Sequence, residues 1–244
     1  MPAFDYAGLT LPISDAMRTA HRRAWERLAA PGAWWTGAEK VAIAGEVRAA
    51  RSCALCRERK AALSSNAVSG EHAASAALPA AAVEAAHRIA TDPGRLTRAW
   101  YEKTLAAGLP DAHYVELLGV VVAVVNLDAL HRGLGVPPEP LPAPRAGEPS
   151  RARPRVTPAG AWVPMIALDS SEARDLFGGS TRVPNVARAL SLVPDAVRQL
   201  RELSEVHYLP MDQVMNPRAH MPDLTRAQME LVAGRVSALN QCFY

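Results

Sequence analysis

Apolar residues recur at the three- and four-residue spacing of amphipathic helices through most of the chain. Thr36 and Glu39 form a T-x-x-E capping box ahead of one such run, and Pro79 can occupy the first turn of another. The run from Asp111 is the most apolar, so we expect it to be the buried central helix. The predicted N-terminal helices are Asp15–Leu28, Thr36–Ala50, a helix that opens at Leu78-Pro79, Leu96–Ala106 and Asp111–Leu134.

The segment Val136–Pro158 interrupts this helical pattern. It contains eight prolines, and each lacks the amide donor that a helix requires. We expect an extended, semi-rigid connector over 136–158, between an N-terminal unit at 1–135 and a C-terminal unit at 159–244. The C-terminal unit is predicted to form helices at Asn185–Ser191, at Pro194–Val206 and from Thr225 onward. The predicted fold class is therefore all-α.

Two segments of the chain resemble each other. Residues 36–53 and 225–242 align without a gap at a constant offset of 189, and seven of the 18 positions are identical. Both copies begin with a T-x-x-E/Q capping box, place Ala-Gly in mid-helix and end on a cysteine, Cys53 or Cys242. An ungapped match that aligns a rare cysteine favours internal duplication over chance agreement in an alanine-rich sequence. We therefore expect two helical repeats joined by the Pro-rich connector.

The composition narrows the class of protein. Apolar residues make up 49% of the chain, which is typical of a globular protein. The net charge is only +3 and the arginines are scattered, so we do not expect a nucleic-acid partner. The N-terminus lacks the basic and apolar regions of a signal peptide, and the longest apolar run, Leu117–Val125, is too short to span a membrane. We expect a soluble cytoplasmic protein without a membrane partner.

The cysteines carry the candidate chemistry. Three cysteines are too few for a disulfide scaffold, and a cytoplasmic CxxC pair is more often catalytic or metal-binding than structural. Cys53 and Cys56 lie at a predicted helix start, where unpaired amides and the helix dipole favour a thiolate, and their spacing keeps both sulfurs within disulfide reach. Such a pair suits peroxide reduction or disulfide exchange. Basic residues nearby would add to this effect: Arg51, Arg57, Arg59 and Lys60.

Two other interpretations of this pair stay open. A zinc half-site would need two further ligands, and the sequence contains no second CxxC and no HxxxH. Two inert, buried cysteines are the other alternative.

Glu116, in the most apolar helix, needs a partner, and we expect it to cap, to pair with an arginine or to face the thiol site. Several histidines have no metal-like spacing and are expected to be ordinary partnered side chains: His87, His113, His131, His207 and His220.

The second repeat resembles a known catalytic motif. Glu230 precedes Cys242 by twelve residues. Glu-x11-Cys, followed by a second Cys after two residues and a His four residues later, is the pattern of the alkylhydroperoxidase D-like (AhpD-like, carboxymuconolactone decarboxylase) family. Segments 111–135 and 190–210 also resemble helices of that family. The resemblance implies an all-α fold, usually an oligomer, and a proton relay in which Glu230 serves Cys242.

Neither copy carries the complete motif. In the first copy, Val41 and Lys60 stand where the family has its Glu and His, so we expect Cys53 and Cys56 to lack the relay. In the second copy, the partner thiol and the His would lie beyond Tyr244. Some relatives have selenocysteine at that position, encoded by UGA. We therefore hypothesise that a UGA codon was read as a stop.

The resemblance implies a thiol- or selenothiol-dependent alkylhydroperoxidase, impaired in this truncated form. Its substrate would be a hydroperoxide, its electron donor a thioredoxin- or lipoyl-like dithiol, and it would need no cofactor and no metal. We expect a homo-oligomer. Two alternatives are a non-catalytic AhpD-like scaffold and a cofactor-free decarboxylase or isomerase of the same family. The candidate catalytic residues are Cys242, Glu230, Cys53 and Cys56.

Overall fold

Helices dominate the structure. The computed structural model describes residues 3–6, 8–74, 77–158, 160–180, 182–210 and 213–239. Two short antiparallel strands, β1 (Val156–Thr157) and β2 (Met165–Ile166), form the only sheet within these residues. The all-α fold class is therefore confirmed. The helices are α1 (Asp15–Ala29), α2 (Gly37–Ala49), α3 (Ala54–Ala61), α4 (Ala80–Thr91), α5 (Arg98–Ala106), α6 (Asp111–Gly133), α7 (Ser171–Phe177), α8 (Asn185–Arg188), α9 (Pro194–His207) and α10 (Arg226–Leu239).

Both predicted capping boxes are present. At the start of α2, the hydroxyl of Thr36 accepts the backbone N–H of Glu39, and the Glu39 carboxylate accepts the backbone N–H of Thr36. At the start of α10, the hydroxyl of Thr225 accepts the backbone N–H of Gln228 at 3.3 Å, and the side-chain oxygen of Gln228 accepts the backbone N–H of Thr225 at 2.9 Å. Each box satisfies amides that have no partner within the helix, which explains why both helices begin at these positions.

Some local details differ from the sequence-based expectation. Pro79 is the N-cap of α4 rather than its first helical residue. Helix α8 ends at Arg188, three residues before the predicted Ser191. Helix α7 and the β1–β2 pair were not predicted, because elements this short contain too few apolar positions to establish a period.

Helix α6 is the central element, and it packs against α2, α4 and α9. Val115, Leu117 and Leu127 of α6 are completely buried in the core, which confirms the predicted central helix. On α4, Ala82 and Ala85 are also buried, and their small side chains allow close approach of the neighbouring helices. By length and composition alone α6 could cross a membrane, but 56% of its most apolar window is buried inside the protein.

The Pro-rich segment runs along the surface of α1 and the loop that follows α1. The carbonyl of Pro140 accepts the indole N–H of Trp25 at 2.8 Å, and the backbone N–H of Arg145 donates to the carbonyl of Ala29 at 2.8 Å. These bonds fix the segment on the helices, although its prolines cannot donate. Beyond it, α9 packs against α1 and α6. The division of the chain into two repeated units stays a prediction.

Glu116 of α6 anchors the loop between α1 and α2. Its carboxylate accepts the backbone N–H groups of Ala33, Trp34 and Trp35 at 3.1, 2.6 and 3.2 Å. Burial raises the pKa of Glu116, and these N–H groups and the ammonium of Lys40 act in the opposite direction. Of the three roles expected for Glu116, the structure therefore shows the first: its carboxylate caps the backbone N–H groups of this loop.

Candidate functional site

The two cysteines of the CxxC motif lie where one helix ends and the next begins. After α2 the chain makes a 3₁₀ turn at Ala50–Ser52, and Cys53 then adopts an extended conformation as the N-cap of α3. Cys56 falls in the first turn of α3. The Cys56 side chain is only 3% exposed, whereas Cys53 is partly exposed, and both are free thiols. The predicted helix start at the motif is confirmed, and only Cys53 faces solvent appreciably.

Two histidines converge on the sulfurs. His87 of α4 places Nδ1 3.4 Å from Sγ of Cys56. His72, in the segment before α4, places Nδ1 3.4 Å from Sγ of Cys53 and 3.7 Å from Sγ of Cys56. The two imidazole ring centres are 4.1 Å apart. Both histidines therefore direct the same ring nitrogen to the thiol pair.

A carboxylate lies behind each histidine. Nε2 of His87 lies 3.0 Å from Oε2 of Glu46 on α2, and both side chains are completely buried. Nε2 of His72 lies 2.8 Å from Oε2 of Glu84 on α4. Glu84 also pairs with Arg59 of α3 at 2.8 Å. Each carboxylate fixes the orientation of its imidazole and leaves Nδ1 to interact with sulfur.

These contacts shift the protonation of the thiols and the histidines. Burial favours the neutral thiol of Cys56, but hydrogen bonds from His72, His87 and Thr91 outweigh burial and lower the pKa of Cys56 to about 6. Burial also opposes ionisation of Cys53, but the side chain of His72 and the backbone N–H of Cys56 outweigh it and lower the pKa of Cys53. At both positions, these contacts therefore stabilise the thiolate relative to that of an isolated cysteine.

The histidines and Glu84 respond in the complementary sense. Burial opposes the charged imidazolium of His72, but hydrogen bonds to Cys56, Glu84 and Cys53 outweigh it and raise the pKa of His72 to about 10. For His87, hydrogen bonds to Cys56 and Glu46 outweigh burial and raise its pKa. Burial opposes the charge of Glu84 as well, but His72 and Arg59 outweigh it and lower the pKa of Glu84 to about 2. The same hydrogen bonds thus stabilise the negative form of the sulfurs and the positive form of the imidazoles.

The outer side of the site borders a cavity. Its volume is about 600 Å³, and Arg59, Glu84, Arg88 and Trp100 are among its lining residues. The Arg59–Glu84 ion pair therefore separates His72 from this cavity, and the cysteines do not line it.

The structure adds two side chains to the predicted first site. Val41 and Lys60 stand at the family's Glu and His positions, but Glu46 and His87 supply a carboxylate and an imidazole to Cys56 from other places in the fold. His87 was expected to be an ordinary partnered histidine. Its contact with Cys56 makes it part of the site instead.

Sequence reasoning missed Glu46, His72 and Glu84 as members of the site. Two signals were available in the sequence. Glu46 lies among the apolar positions of α2, and His87 lies among those of α4. A polar side chain at such a buried position needs a polar partner. Of the basic residues expected near the cysteines, Arg59 contacts the site through Glu84. The others are exposed on the surface: Arg51, Arg57 and Lys60.

The second predicted site is described only in part. Cys242 lies outside the residues that the structure describes. Glu230 is exposed on α10, pairs with Arg226 at 2.7 Å and accepts the hydroxyl of Tyr208 at 2.5 Å. A relay from Glu230 to Cys242 stays a prediction.

Comparison with known proteins adds no relative to this description. No protein-family model, curated protein sequence or solved structure matches the chain.

Proposed function

We propose that this protein is a dithiol oxidoreductase that reduces hydroperoxides at Cys53 and Cys56. The resemblance to AhpD-like proteins supports a hydroperoxide as the substrate, although its motif lies at Glu230 and Cys242, and the assignment to Cys53 and Cys56 comes from the contacts of these two thiols. The observation that carries the proposal is the chain of contacts from Glu46 through His87 to Cys56. A buried carboxylate that orients an imidazole toward a nucleophile is a general device for moving a proton to and from that nucleophile. Inert buried cysteines do not require such an arrangement.

The first step uses the accessible sulfur. The Cys53 thiolate attacks the terminal oxygen of the hydroperoxide, so that an S–O bond forms and the O–O bond breaks. Nδ1 of His72, 3.4 Å from Sγ of Cys53, supplies a proton to the departing alkoxide, which leaves as an alcohol. Cys53 becomes a sulfenic acid, because two electrons have moved from sulfur to the peroxide.

The second step closes a disulfide. Cys56 reacts as a thiolate, and its proton is held by His87, whose Nε2–H donates to the carboxylate of Glu46. The Cys56 thiolate attacks the sulfur of Cys53, an S–S bond forms, the S–O bond breaks, and hydroxide leaves and takes the proton from His87 as water. The sum is two thiols and one hydroperoxide in, and one disulfide, one alcohol and one water out.

An external dithiol completes the cycle. It attacks Cys53, the more exposed of the two sulfurs, and restores both thiols by thiol–disulfide exchange. A thioredoxin- or lipoyl-like protein is the proposed donor, and the cytoplasm, where such donors are reduced, is the proposed location. A homo-oligomer, and a second active position at Cys242 with Glu230, remain parts of the same proposal.

Hydroperoxide consumption by the 244-residue chain tests this assignment. Cumene hydroperoxide would be supplied with dihydrolipoamide or reduced thioredoxin as donor, and its loss followed over time. We expect turnover that is largely lost in Cys53→Ser and in Cys56→Ser. The control variant His220→Asn, at an exposed position in the loop before α10, should retain the turnover.

The variant Cys242→Ser separates the two thiol positions. If the first site is active by itself, this variant keeps most of the turnover. If Cys242→Ser removes all turnover while Cys53→Ser and Cys56→Ser keep it, the assignment to Cys53 and Cys56 is wrong.

A further inference from the structure

We propose that the reduced protein binds Zn²⁺ in a tetrahedral site formed by Cys53, Cys56, His72 and His87. The two sulfurs and one nitrogen of each histidine all lie within 4.8 Å of one another. Two thiolates and two imidazoles are a ligand set that Zn²⁺ takes in proteins. The four residues come from three places in the chain, the start of α3, the segment before α4 and α4 itself.

The distances fit one ion. With bonds of about 2.3 Å to sulfur and about 2.0 Å to nitrogen, a tetrahedral zinc ion separates a sulfur from a nitrogen ligand by about 3.5 Å. The corresponding separations from His72 Nδ1 are 3.4 Å to Cys53 Sγ and 3.7 Å to Cys56 Sγ. The separation from His87 Nδ1 to Cys56 Sγ is 3.4 Å. For these three pairs, a zinc ion therefore requires shifts of only a few tenths of an ångström, and the remaining ligand pairs lie within 4.8 Å.

The surroundings of the histidines suit metal ligation as well as a thiol–imidazole hydrogen bond. Each ring presents Nδ1 to the sulfurs and has Nε2 beside a carboxylate, Glu84 for His72 and Glu46 for His87. A carboxylate on the outer nitrogen is the usual support of a metal-bound histidine, because it fixes the tautomer and raises the basicity of the ligand nitrogen. A single proton shared between sulfur and imidazole needs one such histidine, whereas this site has two.

The charges also suit a divalent cation of intermediate softness. Two thiolates neutralise the charge of Zn²⁺, and Arg59 neutralises Glu84 at the outer edge. Sulfur and nitrogen ligands select against Mg²⁺ and Ca²⁺, which take oxygen ligands. His87 follows His72 by fifteen residues, a spacing that does not match a standard zinc motif, so the sequence alone gave no sign of a four-ligand set.

Metal binding and disulfide formation exclude each other at this site. Both sulfurs must be thiolates to bind zinc, and a Cys53–Cys56 disulfide removes two of the four ligands. The zinc site itself stands on the geometry alone. Release of the metal by a hydroperoxide, in contrast, rests on the proposed function.

The test begins with the full, reduced chain. Zinc would be added to metal-free protein and its binding followed by calorimetry, and Co²⁺ would be bound in parallel for its absorption spectrum. We expect one ion per chain, visible bands of tetrahedral Co²⁺ and a sulfur-to-cobalt charge-transfer band with the intensity of two thiolates. Octahedral Co²⁺ bands, or no binding by the unaltered chain, would overturn the proposal without any variant having to fold.

Variants then assign the ligands. Cys53→Ser, His72→Asn and His87→Asn should lose tight binding, with circular dichroism to confirm that each metal-free variant is helical. Glu46→Gln and Glu84→Gln, which alter only the supporting carboxylates, should weaken zinc binding about 10- to 100-fold. The controls Cys242→Ser and His220→Asn should bind as the unaltered chain does. Loss of the metal in either control would show that the ion lies elsewhere.

One further measurement separates the zinc site from the proposed function. The metal-free chain and the zinc-loaded chain would each receive one equivalent of hydrogen peroxide, and disulfide and free zinc would both be measured. If the chain binds zinc but the metal-free chain forms no disulfide, the proposed metal site stands and the proposed oxidoreductase function is wrong. A disulfide without any zinc binding would show the reverse.

Discussion

Nε2 of His87 lies 3.0 Å from Oε2 of Glu46, and neither side chain is exposed to solvent. The pair connects α4 to α2 beneath the cysteines, and Nδ1 of the same imidazole reaches Cys56. A buried carboxylate and imidazole are costly to desolvate, so a fold that only needed to fill this space would use apolar side chains. The pair therefore points to a chemical role for the thiol beside it.

Glu46→Gln tests that role. The substitution keeps the size of the side chain but removes the negative charge that holds Nε2–H of His87, so Nδ1 becomes a poorer proton acceptor for Cys56. We expect disulfide formation after peroxide addition to slow about 100-fold or more, as for the loss of a general base. Stopped-flow mixing with quenching by alkylation measures the rate. Glu58→Gln, at an exposed position of α3, is the matched control. Equal rates of disulfide formation in the two variants would contradict a proton relay through Glu46.

Gly32→Ala is expected to be strongly destabilising. A Cβ atom at Gly32 would lie 1.5 Å from Oε1 of Glu116, the carboxylate that caps the loop after α1. The side chain must move and leave backbone N–H groups without an acceptor, at a cost of about 3 kcal/mol in the free energy of unfolding. Urea denaturation measures this cost. Gly133→Ala, at the end of α6 where the added carbon meets nothing, should not lower stability, and equal effects at both glycines would contradict the steric argument.

The ion pair between Arg48 and Asp128 should matter more than the ion pairs of the surface. Asp128 is buried on α6, and its carboxylate accepts two hydrogen bonds from the guanidinium of Arg48, at 2.8 and 3.1 Å. Asp128→Asn leaves a largely buried cation without its counter-charge, and we expect a loss of about 3 kcal/mol in the free energy of unfolding. Asp169→Asn, which breaks the exposed pair with Arg155, should change nothing measurable. Similar losses in the free energy of unfolding in both variants would show that burial of the ion pair does not determine its contribution to stability.

The protein should lose stability in mild acid because of His21. This side chain is completely buried, with Nδ1 2.7 Å from the hydroxyl of Tyr6 and Nε2 2.6 Å from Nε2 of His207. Burial, together with the charges of His207 and His131, lowers the pKa of His21 to about 3, whereas the unfolded chain titrates near about 6.5. The unfolded state therefore binds the proton more readily, and stability present above pH 6.5 is lost as the pH falls toward 3.

At pH 5 the expected loss from His21 is about 2 kcal/mol relative to neutral pH. Urea denaturation at a series of pH values between 7.5 and 5 measures it. His21→Asn should reduce the slope of stability against pH, whatever its effect on the absolute stability. His220→Asn, at an exposed position, should keep the slope, and an unchanged slope in His21→Asn would assign the acid sensitivity to other groups.

Much of the helical framework could be predicted because it is encoded locally. The capping box at Thr36 and the apolar run from Asp111 each contain, within a few residues, the signals that start and orient a helix. The helix start at the CxxC motif was predictable for the same reason. Elements whose stability comes from distant contacts, such as β1, β2 and α7, contain no comparable local signal.

The site was predictable only in its cysteines. His72 and His87 follow Cys56 by sixteen and 31 residues, and they meet the sulfurs only because α4 packs beside α3 and the end of α2. Glu46 precedes Cys53 on a separate helix. No spacing rule joins these residues, so the relay and the four-ligand set were visible only in three dimensions. The sequence resemblance directed attention to Glu230, whose described contacts are Arg226 and Tyr208.

The most direct test of the central claim is a single-turnover oxidation of the Cys242→Ser chain. The reduced, metal-free protein would receive one equivalent of hydrogen peroxide, and its intact mass and disulfide-linked peptides would be determined over time. We predict the loss of two hydrogens per chain and one linkage, between Cys53 and Cys56, formed much faster than a free cysteine reacts. Unmodified thiols after the time in which free cysteine is consumed, or a chain stopped at an unresolved sulfenic acid on one cysteine, would contradict it.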